Sequence, residues 1–548
     1  MFVSMVIRME YSPCMDLCKL YQQGLNACID NNWTLITNEY LQYHHEEMQN
    51  GISDRLMNEF ELKKITQKEF QDIEKYFIPD KLFTSKEKEL GSRTEMLSYL
   101  SNSSFPELEI CLNNIFSQIE NKHPNEKIEG VFFAGETFNS IRTICEKKNI
   151  PLYPYLFSAI KKAHGYRQSL YYTGINGFLY NNAKSCNKIF EKYLQCQDAK
   201  LPIFSNKEIL AILGKDRTMP LLQLINHRPQ YEMGICTELR AIIPSISNYN
   251  MYTDDDLFEE CNKLYQSTQL TTRSHAVQLD QRHLRRDEIH NDAASFILSC
   301  KRLTSVSSQI SLKVLLWKRT AVMKKPTMAF SFLCTNDYAS IEIADLAGLN
   351  YYVFCYLVPN DLMFSDSYWK WRMTNPAETE IYKKHLDFYI EKLNLPKTIL
   401  TEKDETVRLR QILESRNCDD EVINDVIEDN QDFDVDYYAA SSKFMVNGKP
   451  HWRLNKKTED GTLKCTMHLP EIDVNSIEFY PLDDVAGFAK LESVKVNGKP
   501  QPLTDEQRSY KFMKKVAGHY TFQIEKNNDL KIEIVWKYQK VFDYLNAQ

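Results

Sequence analysis

The 548-residue chain has only 16 glycines and 19 prolines, and it contains no CxxC pair, no long apolar run and no extended basic cluster. Each absence excludes a class. Low glycine and proline, with 43% hydrophobic residues, exclude a fibrous or largely disordered chain. Fourteen scattered cysteines without a CxxC pair or a leading secretory signal read as reduced thiols rather than a disulfide framework. The longest apolar stretch, Tyr351 to Val358, is eight residues and ends at Pro359. A membrane-spanning helix needs roughly 20, so the expectation is a cytoplasmic chain, at most peripheral to the inner face of a membrane. No HExxH or clustered Cys/His stands out as a metal site. No GxGxxG follows a strand, which argues against a dinucleotide enzyme.

Net charge is −7, but Glu402 to Asp436 holds 13 acidic and four basic residues, a local charge of −9, which leaves about +2 for the rest. Nucleic-acid binding would require a clustered basic face and is not expected. The acidic stretch reads as a solvated helical linker.

A chain of this length predicts several domains. The first 120 or so residues read as helical. Gly130 to Gly135 is the first clear strand, followed by a helix through Lys148 and a strand from Pro151 to Leu156, a βαβ unit. Strands are then expected at Met219–Leu224, Leu270–Val277, Leu303–Val306 and Ala321–Met323. The intervening helices begin at Thr253-Asp-Asp-Asp256, Asn291 and Gln309. Beyond residue 440 strands alternate, and Val-Asn-Gly-Lys-Pro occurs at Val446–Pro450 and again at Val496–Pro500. Asn-Gly suits a tight hairpin turn because both residues tolerate positive φ. The expected architecture is α/β: an N-terminal α/β domain with a helical extension (1–210), a second α/β domain (211–400), an acidic helical linker (401–438) and a C-terminal β-sandwich (439–548).

Chemistry concentrates in Thr304-Ser-Val-Ser-Ser-Gln-Ile-Ser-Leu-Lys313, a strand leading through a hydroxyl-rich turn into a helix. Ser307 and Ser308 would stand at the helix N-terminus, where unpaired N–H groups receive an anion such as a nucleotide phosphate. Simple N-capping by serine is the competing reading. Arg273 and His275 lie at the end of a predicted strand, at the carboxyl edge of the sheet where open α/β folds bind ligands. His164, Tyr166 and Arg167 form a polar cluster suited to an anionic or hydroxyl-rich sugar.

The segment from Ser307 to Phe332 resembles the nucleotide-binding half of bacterial capsule and O-antigen glycosyltransferases of the GT-B type, closest to the retaining β-Kdo transferases. The runs Tyr356-Leu-Val-Pro359, Tyr368-Trp-Lys-Trp-Arg372 and Asn375-Pro-Ala-Glu-Thr-Glu-Ile-Tyr382 also look like that family. So does Gly165 to Gly177, which ends in a Gly-x-Asn-Gly turn carrying Asn176. Leu222-Gln223 is similar to the family strand that opens the second domain, and the C-terminal module to the accessory domains of polysaccharide glycosyltransferases. The resemblance implies two Rossmann-like domains and a metal-independent transferase with no resident cofactor. Its partners would be a nucleotide-sugar co-substrate, CMP-Kdo first, and a glycan acceptor or its lipid-linked precursor. Gln223, Arg273, His275, Ser307, Ser308 and Lys313 would hold the donor. His164, Tyr166, Arg167 and Asn176 would hold the acceptor.

The chain departs from that family where chemistry needs it most. His275-Ala276 replaces His-Pro, and Leu156-Phe-Ser158 lacks the acidic residue of a Glu-Leu-Gly-like motif. Asn226 and His227 stand where an Asp soon follows Leu-Gln. A double displacement requires a carboxylate nucleophile and an acid/base. Glu136 and Glu232 are the substitutes, each expected on a βα loop. The alternative is a catalytically silent GT-B-like protein that binds polysaccharide or organises an assembly.

Overall fold

The structure is a computed structural model of the chain. It describes all residues except 8–14, 53–56, 58–61, 136, 159, 161–169, 174–182, 197–200, 215–216, 238–252, 274–292, 307, 326–327, 429–438, 483–486, 514–517, 541–542, 545–546 and 548.

The first sheet is built from β1 (Phe2–Val6), β2 (Thr34–Asn38), β3 (Lys75–Ile78), β4 (Gly130–Ala134), β5 (Leu152–Phe157) and β6 (Leu170–Thr173). The first five are parallel, in the order β5-β4-β1-β2-β3. The chain runs outward from β1 to β3 and then restarts on the other side of β1 with β4. Such a reversal makes a switch point at the carboxyl ends of β1 and β4. Both faces are covered: Val3, Met5, Val131 and Phe133 belong to one core, and Phe2, Val6 and Phe132 to another.

Three of these strands precede the one expected first. β1, β2 and β3 lie within the region read as helical, and β1 is the middle of the five parallel strands. All five residues of β1 and of β2 are buried. Strands buried on both faces lack the two-residue alternation that marks a strand in sequence.

The second sheet comprises β7 (Tyr231–Cys236), β8 (Leu270–Arg273), β9 (Cys300–Ser305) and β10 (Thr320–Val322). It is wholly parallel, in the order β8-β7-β9-β10, with its switch point between β7 and β9. The expected strand at Met219–Leu224 is instead the helical turn Thr218–Leu221 and a 3₁₀ turn, Leu222–Asn226. Every residue from Met219 to Ile225 is buried, so the run has no periodicity to separate helix from strand. The helix at Asp254–Leu264 starts as expected, with Thr253 and Asp256 forming a capping box.

After the second sheet the chain returns to the first. β11 (Val358–Pro359) pairs antiparallel with β6 at the edge of the first sheet. Val358, Met363, Tyr368 and Trp369 then join the core of Phe2 and Phe132. Trp369 stacks 4.9 Å from Phe132 and 4.7 Å from Tyr153. Residues 358–373, expected in the second domain, therefore pack on the first.

The acidic segment is not a free span. Leu409, Ile412 and Leu413 on the helix Glu405–Ser415, and Val422, Ile423 and Val426 on Asp420–Glu428, share the core of the helix Asn206–Leu213. Arg408 donates from Nε to Glu208 Oε1 at 2.6 Å and from Nη2 to Oε2 at 3.0 Å, with the Glu208 side chain fully buried. Asp419 and Glu421 hold Arg453 of the C-terminal sheet at 2.8 and 3.3 Å. Burial works against the Asp419 charge, but the bonds from His451 and Arg453 prevail and hold its carboxyl down at about 2. Two of its carboxylates, Asp419 and Glu421, thus tie the last module to the acidic helices.

That module is antiparallel: β12 (Ser441–Val446), β13 (Lys449–Lys457), β14 (Leu463–Tyr480), β15 (Gly487–Val496), β16 (Lys499–Pro500), β17 (Lys511–Met513) and β18 (Tyr520–Gln539). Both Asn-Gly pairs close hairpins, with φ of 48° and 75° at Asn447-Gly448 and 48° and 76° at Asn497-Gly498. The strands follow one hydrogen-bonded path rather than two stacked sheets. β12 pairs with both β13 and β14, which curls the sheet, and bulges between Pro470 and Ser476 interrupt the long β14–β18 ladder. Among the described residues no helix is long and apolar enough to cross a membrane.

Candidate functional site

The carboxyl edge of the second sheet holds several of the buried polar groups with unmet bonding capacity. In register, Cys236 stands opposite Arg273 on one side and Ser305 on the other. Side chains in register on neighbouring strands share a face, so Arg273, Cys236 and Ser305 form a row across the end of the sheet. Cys236 and Ser305 are buried. Thr237, the next residue along, donates its N–H to the Arg273 carbonyl at 3.1 Å. Its hydroxyl is buried without a partner, as is Nε of Arg273. Two residues before Arg273 on the same face, the fully buried Thr271 hydroxyl is also unpartnered. Buried polar groups are normally bonded, so the Arg273 and Thr237 atoms at the carboxyl end of the sheet, with Thr271 deeper along β8, mark a candidate place for a polar ligand.

The serine turn next to this row is stitched internally. Ser308 donates its N–H to Ser305 Oγ at 3.2 Å, Ser305 Oγ lies 3.0 Å from Ser311 Oγ, and Ser308 Oγ accepts from Ile310 N at 3.4 Å. The Ser308 hydroxyl is therefore engaged in a local turn, while Gln309 is the N-cap and makes no side-chain cap bond. The helix it precedes, Ile310–Leu316, has only seven residues, and Lys313 lies in its last turn rather than at its N-terminus.

No family model matches the sequence, and no curated protein matches it. Among solved structures, the chain is similar to the β-Kdo 2,7 transferase KpsC of Thermosulfurimonas dismutans, at 12% identity, covering 48% of this chain and 95% of that one, with a TM-score of 0.28. The UDP-GlcNAc 2-epimerase from Neisseria meningitidis is 11% identical over 71% of this chain and 100% of its own, with a TM-score of 0.25. S. aureus MnaA with UDP is 10% identical over 74% and 98%, with a TM-score of 0.26. At TM-scores this low the likenesses decide nothing about fold or activity.

Glu232 is the clearest revision. It is the second residue of β7, near the amino end of the sheet and opposite the ligand edge, because β7 starts at Tyr231 where no strand was expected. Lys301 and Arg302 hold it at 2.5 and 3.6 Å. Gln223 is buried in the 3₁₀ turn and bonds the carboxyl of Asp425 on the acidic helix, so it too lies away from the row. Asn226 accepts from Lys318 at 3.0 Å, and the His227 carbonyl accepts from Arg319 at 3.1 Å. Glu136, His164, Tyr166, Arg167, Asn176, His275 and Ser307 lie outside the described residues.

A second polar group, missed in the sequence, stands at the carboxyl ends of β2 and β3. Asn38 donates to Asp80 Oδ1 at 2.6 Å, and Asp80 N donates to Glu39 Oε2 at 3.3 Å. Burial above all, with help from the Glu39 charge, raises the Asp80 carboxyl above its ordinary range, against the bonds from Asn38 and Tyr40. The His44 ring stacks 4.0 Å from Tyr40 and turns Nδ1 to the Tyr40 carbonyl at 2.8 Å. The available signal was Asn-Glu and Pro-Asp, each directly after a short apolar run. Among the described residues, no group of three or more His, Cys, Asp or Glu side chains is placed to hold a metal ion.

Proposed function

We infer that the chain transfers a sugar from a nucleotide donor to a glycan, as a GT-B-like transferase, with the donor phosphate held at the carboxyl edge of the second sheet. One observation carries this reading: Thr237, at the carboxyl end of β7 beside the switch point, and Arg273, at the carboxyl end of the neighbouring β8, present buried, unpartnered polar atoms. A guanidinium and hydroxyls are the donors a phosphate takes, and they would stabilise it as it leaves with growing negative charge. His275, Ser307, Ser308 and Lys313 complete the donor side in this reading, and CMP-Kdo is the first donor to test. His164, Tyr166, Arg167 and Asn176 remain the acceptor-side candidates. With Glu232 ion-paired at the far end, Glu136 is the carboxylate to test first. It follows Gly135 directly after β4. Asp80 is the second, since a carboxyl of raised pKa suits proton transfer.

The ion-paired Glu232 favours the alternative, a silent GT-B-like protein that binds polysaccharide or organises an assembly. A thermal-shift panel of CMP, UDP, GDP, ADP and TDP separates the two. A nucleotide at 100 times its dissociation constant adds about 2.7 kcal/mol of stability. The transferase reading expects a shift with one nucleotide that Arg273→Gln removes. No shift with any nucleotide refutes a donor site and leaves the silent protein.

A further inference from the structure

The outer face of the C-terminal sheet carries four aromatic rings that the core does not use. Along β15 the inward residues Gly487, Ala489 and Leu491 are buried, while Phe488 and Lys490 point the other way and remain partly exposed. Phe488 stands opposite Phe512 of β17, 5.2 Å between rings, and Tyr544 stacks on Phe488 at 3.7 Å. Tyr510 meets Tyr544 edge to face at 6.2 Å, and Lys490 Nζ lies 5.3 Å over the Tyr510 ring. Phe512 is 44% exposed, an unusual position for a phenylalanine on a two-residue-period strand whose neighbour Met513 is fully buried. An exposed phenylalanine backed by three partly exposed rings, each touching the next, is a pattern that marks binding surfaces.

The rim of this cluster points to the class of ligand. Glu492 lies 3.0 Å from Lys490 and 3.9 Å from Lys537, so one carboxylate is shared by two lysines and these three groups carry a single net positive charge. A rim with so little net charge neither attracts nucleic acid nor an anionic bilayer. It offers fixed donors and acceptors side by side, which is what a sugar hydroxyl, itself donor and acceptor, requires. Aromatic faces carry negative charge density and attract the positively polarised C–H face of a pyranose ring. Rigid rings flanked by a few polar groups are the common form of a small-ligand site.

We propose that Phe488, Tyr510, Phe512 and Tyr544, with Lys490 and Glu492 at their rim, form a glycan-binding platform for uncharged pyranose units, separate from the carboxyl edge of the second sheet. It goes beyond the transferase reading and does not depend on it, because retention of a glycan needs no nucleotide.

The test is affinity electrophoresis of the full-length protein through native gels containing dextran, mannan or polygalacturonate. At least one neutral polysaccharide should retard the wild type, and Phe512→Ala and Tyr510→Ser should each weaken that retardation at least five-fold. Both side chains are partly exposed, so circular dichroism and melting should be unchanged. If one variant misfolds, the other still decides. Absence of retardation in both neutral gels overturns the proposal, as does retardation that survives both substitutions. Retardation by polygalacturonate alone, abolished by salt, reassigns the face to simple charge attraction. A wild-type dimer in sedimentation that Phe512→Ala makes monomeric reassigns it to a second copy of the chain. The nucleotide panel reads independently of all these outcomes, so either proposal can fail alone.

Discussion

Substituting His385 should change how the protein responds to acid. His385 is fully buried, with Nε2 2.7 Å from the Tyr368 hydroxyl and Nδ1 3.1 Å from the Phe354 carbonyl. A carbonyl only accepts, so Nδ1 carries the proton and Nε2 accepts from Tyr368. The Tyr368 hydroxyl in turn accepts from Arg372 Nη1 at 2.9 Å. Burial first, and the Arg372 charge second, push the imidazole from its ordinary 6.5 down to about 3. Its folded pKa lies below its unfolded one, so the unfolded chain takes up the proton and stability falls as the pH drops through this window. The slope approaches about 1.4 kcal/mol per pH unit. Between about pH 7.5 and pH 5 it integrates to roughly 2 kcal/mol. Asp419, held at about 2, contributes its loss only at far lower pH. His385→Gln keeps an acceptor for Tyr368 and never titrates. Urea denaturation at the two pH values should show its stability deficit narrowing by about 2 kcal/mol in acid, because the wild type alone loses that amount. Hydrogen exchange in the helix Glu378–Lys392 should report the same convergence locally. A gap that stays constant with pH would refute a neutral, relay-bonded His385.

Arg408→Met leaves the Glu208 carboxylate buried with a single backbone bond from Ser205. Urea unfolding should register a loss of about 3–5 kcal/mol, most of it recovered when Glu208→Leu is added. Gly234→Ala would place a Cβ 2.7 Å from Cys300 Sγ and 3.1 Å from the Phe296 ring. This should cost about 1–3 kcal/mol in the same assay. Cys300→Ala in the same chain should restore most of that loss, and equal stability of Gly234→Ala and wild type would show that the contact with Cys300 and the Phe296 helix yields more than a packed core does.

The parts legible in sequence were those whose signal is local. Asn447-Gly448 and Asn497-Gly498 announced their hairpins because a two-residue turn with positive φ admits few residues. Thr253 and the aspartates after it announced a helix start for an equally local reason. The central strands were illegible because burial on both sides erases alternation in Phe2–Val6, while Tyr231–Cys236 carries Glu232 near its start and a glycine, Gly234, neither of which signals a strand. Missing β7 displaced Glu232 from the amino end of a strand to an imagined loop, an error of function caused by an error of structure. Arg273 was legible as a cation near the end of the expected strand Leu270–Val277. Thr237 was not, since nothing local tells an orphaned threonine hydroxyl from the many that are satisfied. The acidic run gave its charge but not its use, because Arg453 and Arg408 reach Asp419, Glu421 and Glu208 across distances in sequence that no window spans. Strand positions in the last module were readable, but a pairing of β12 with two partners is a property of the whole sheet.

The return of residues 358–373 to the first sheet bears on how the protein can be divided. A fragment ending at residue 210 would leave Phe132 and Tyr153 without Trp369 and would strip β6 of its outer neighbour. The complementary fragment would carry an orphaned apolar flap. Neither half is inheritable or exchangeable through one crossover; recombination that respects this architecture must move two separate stretches of gene together.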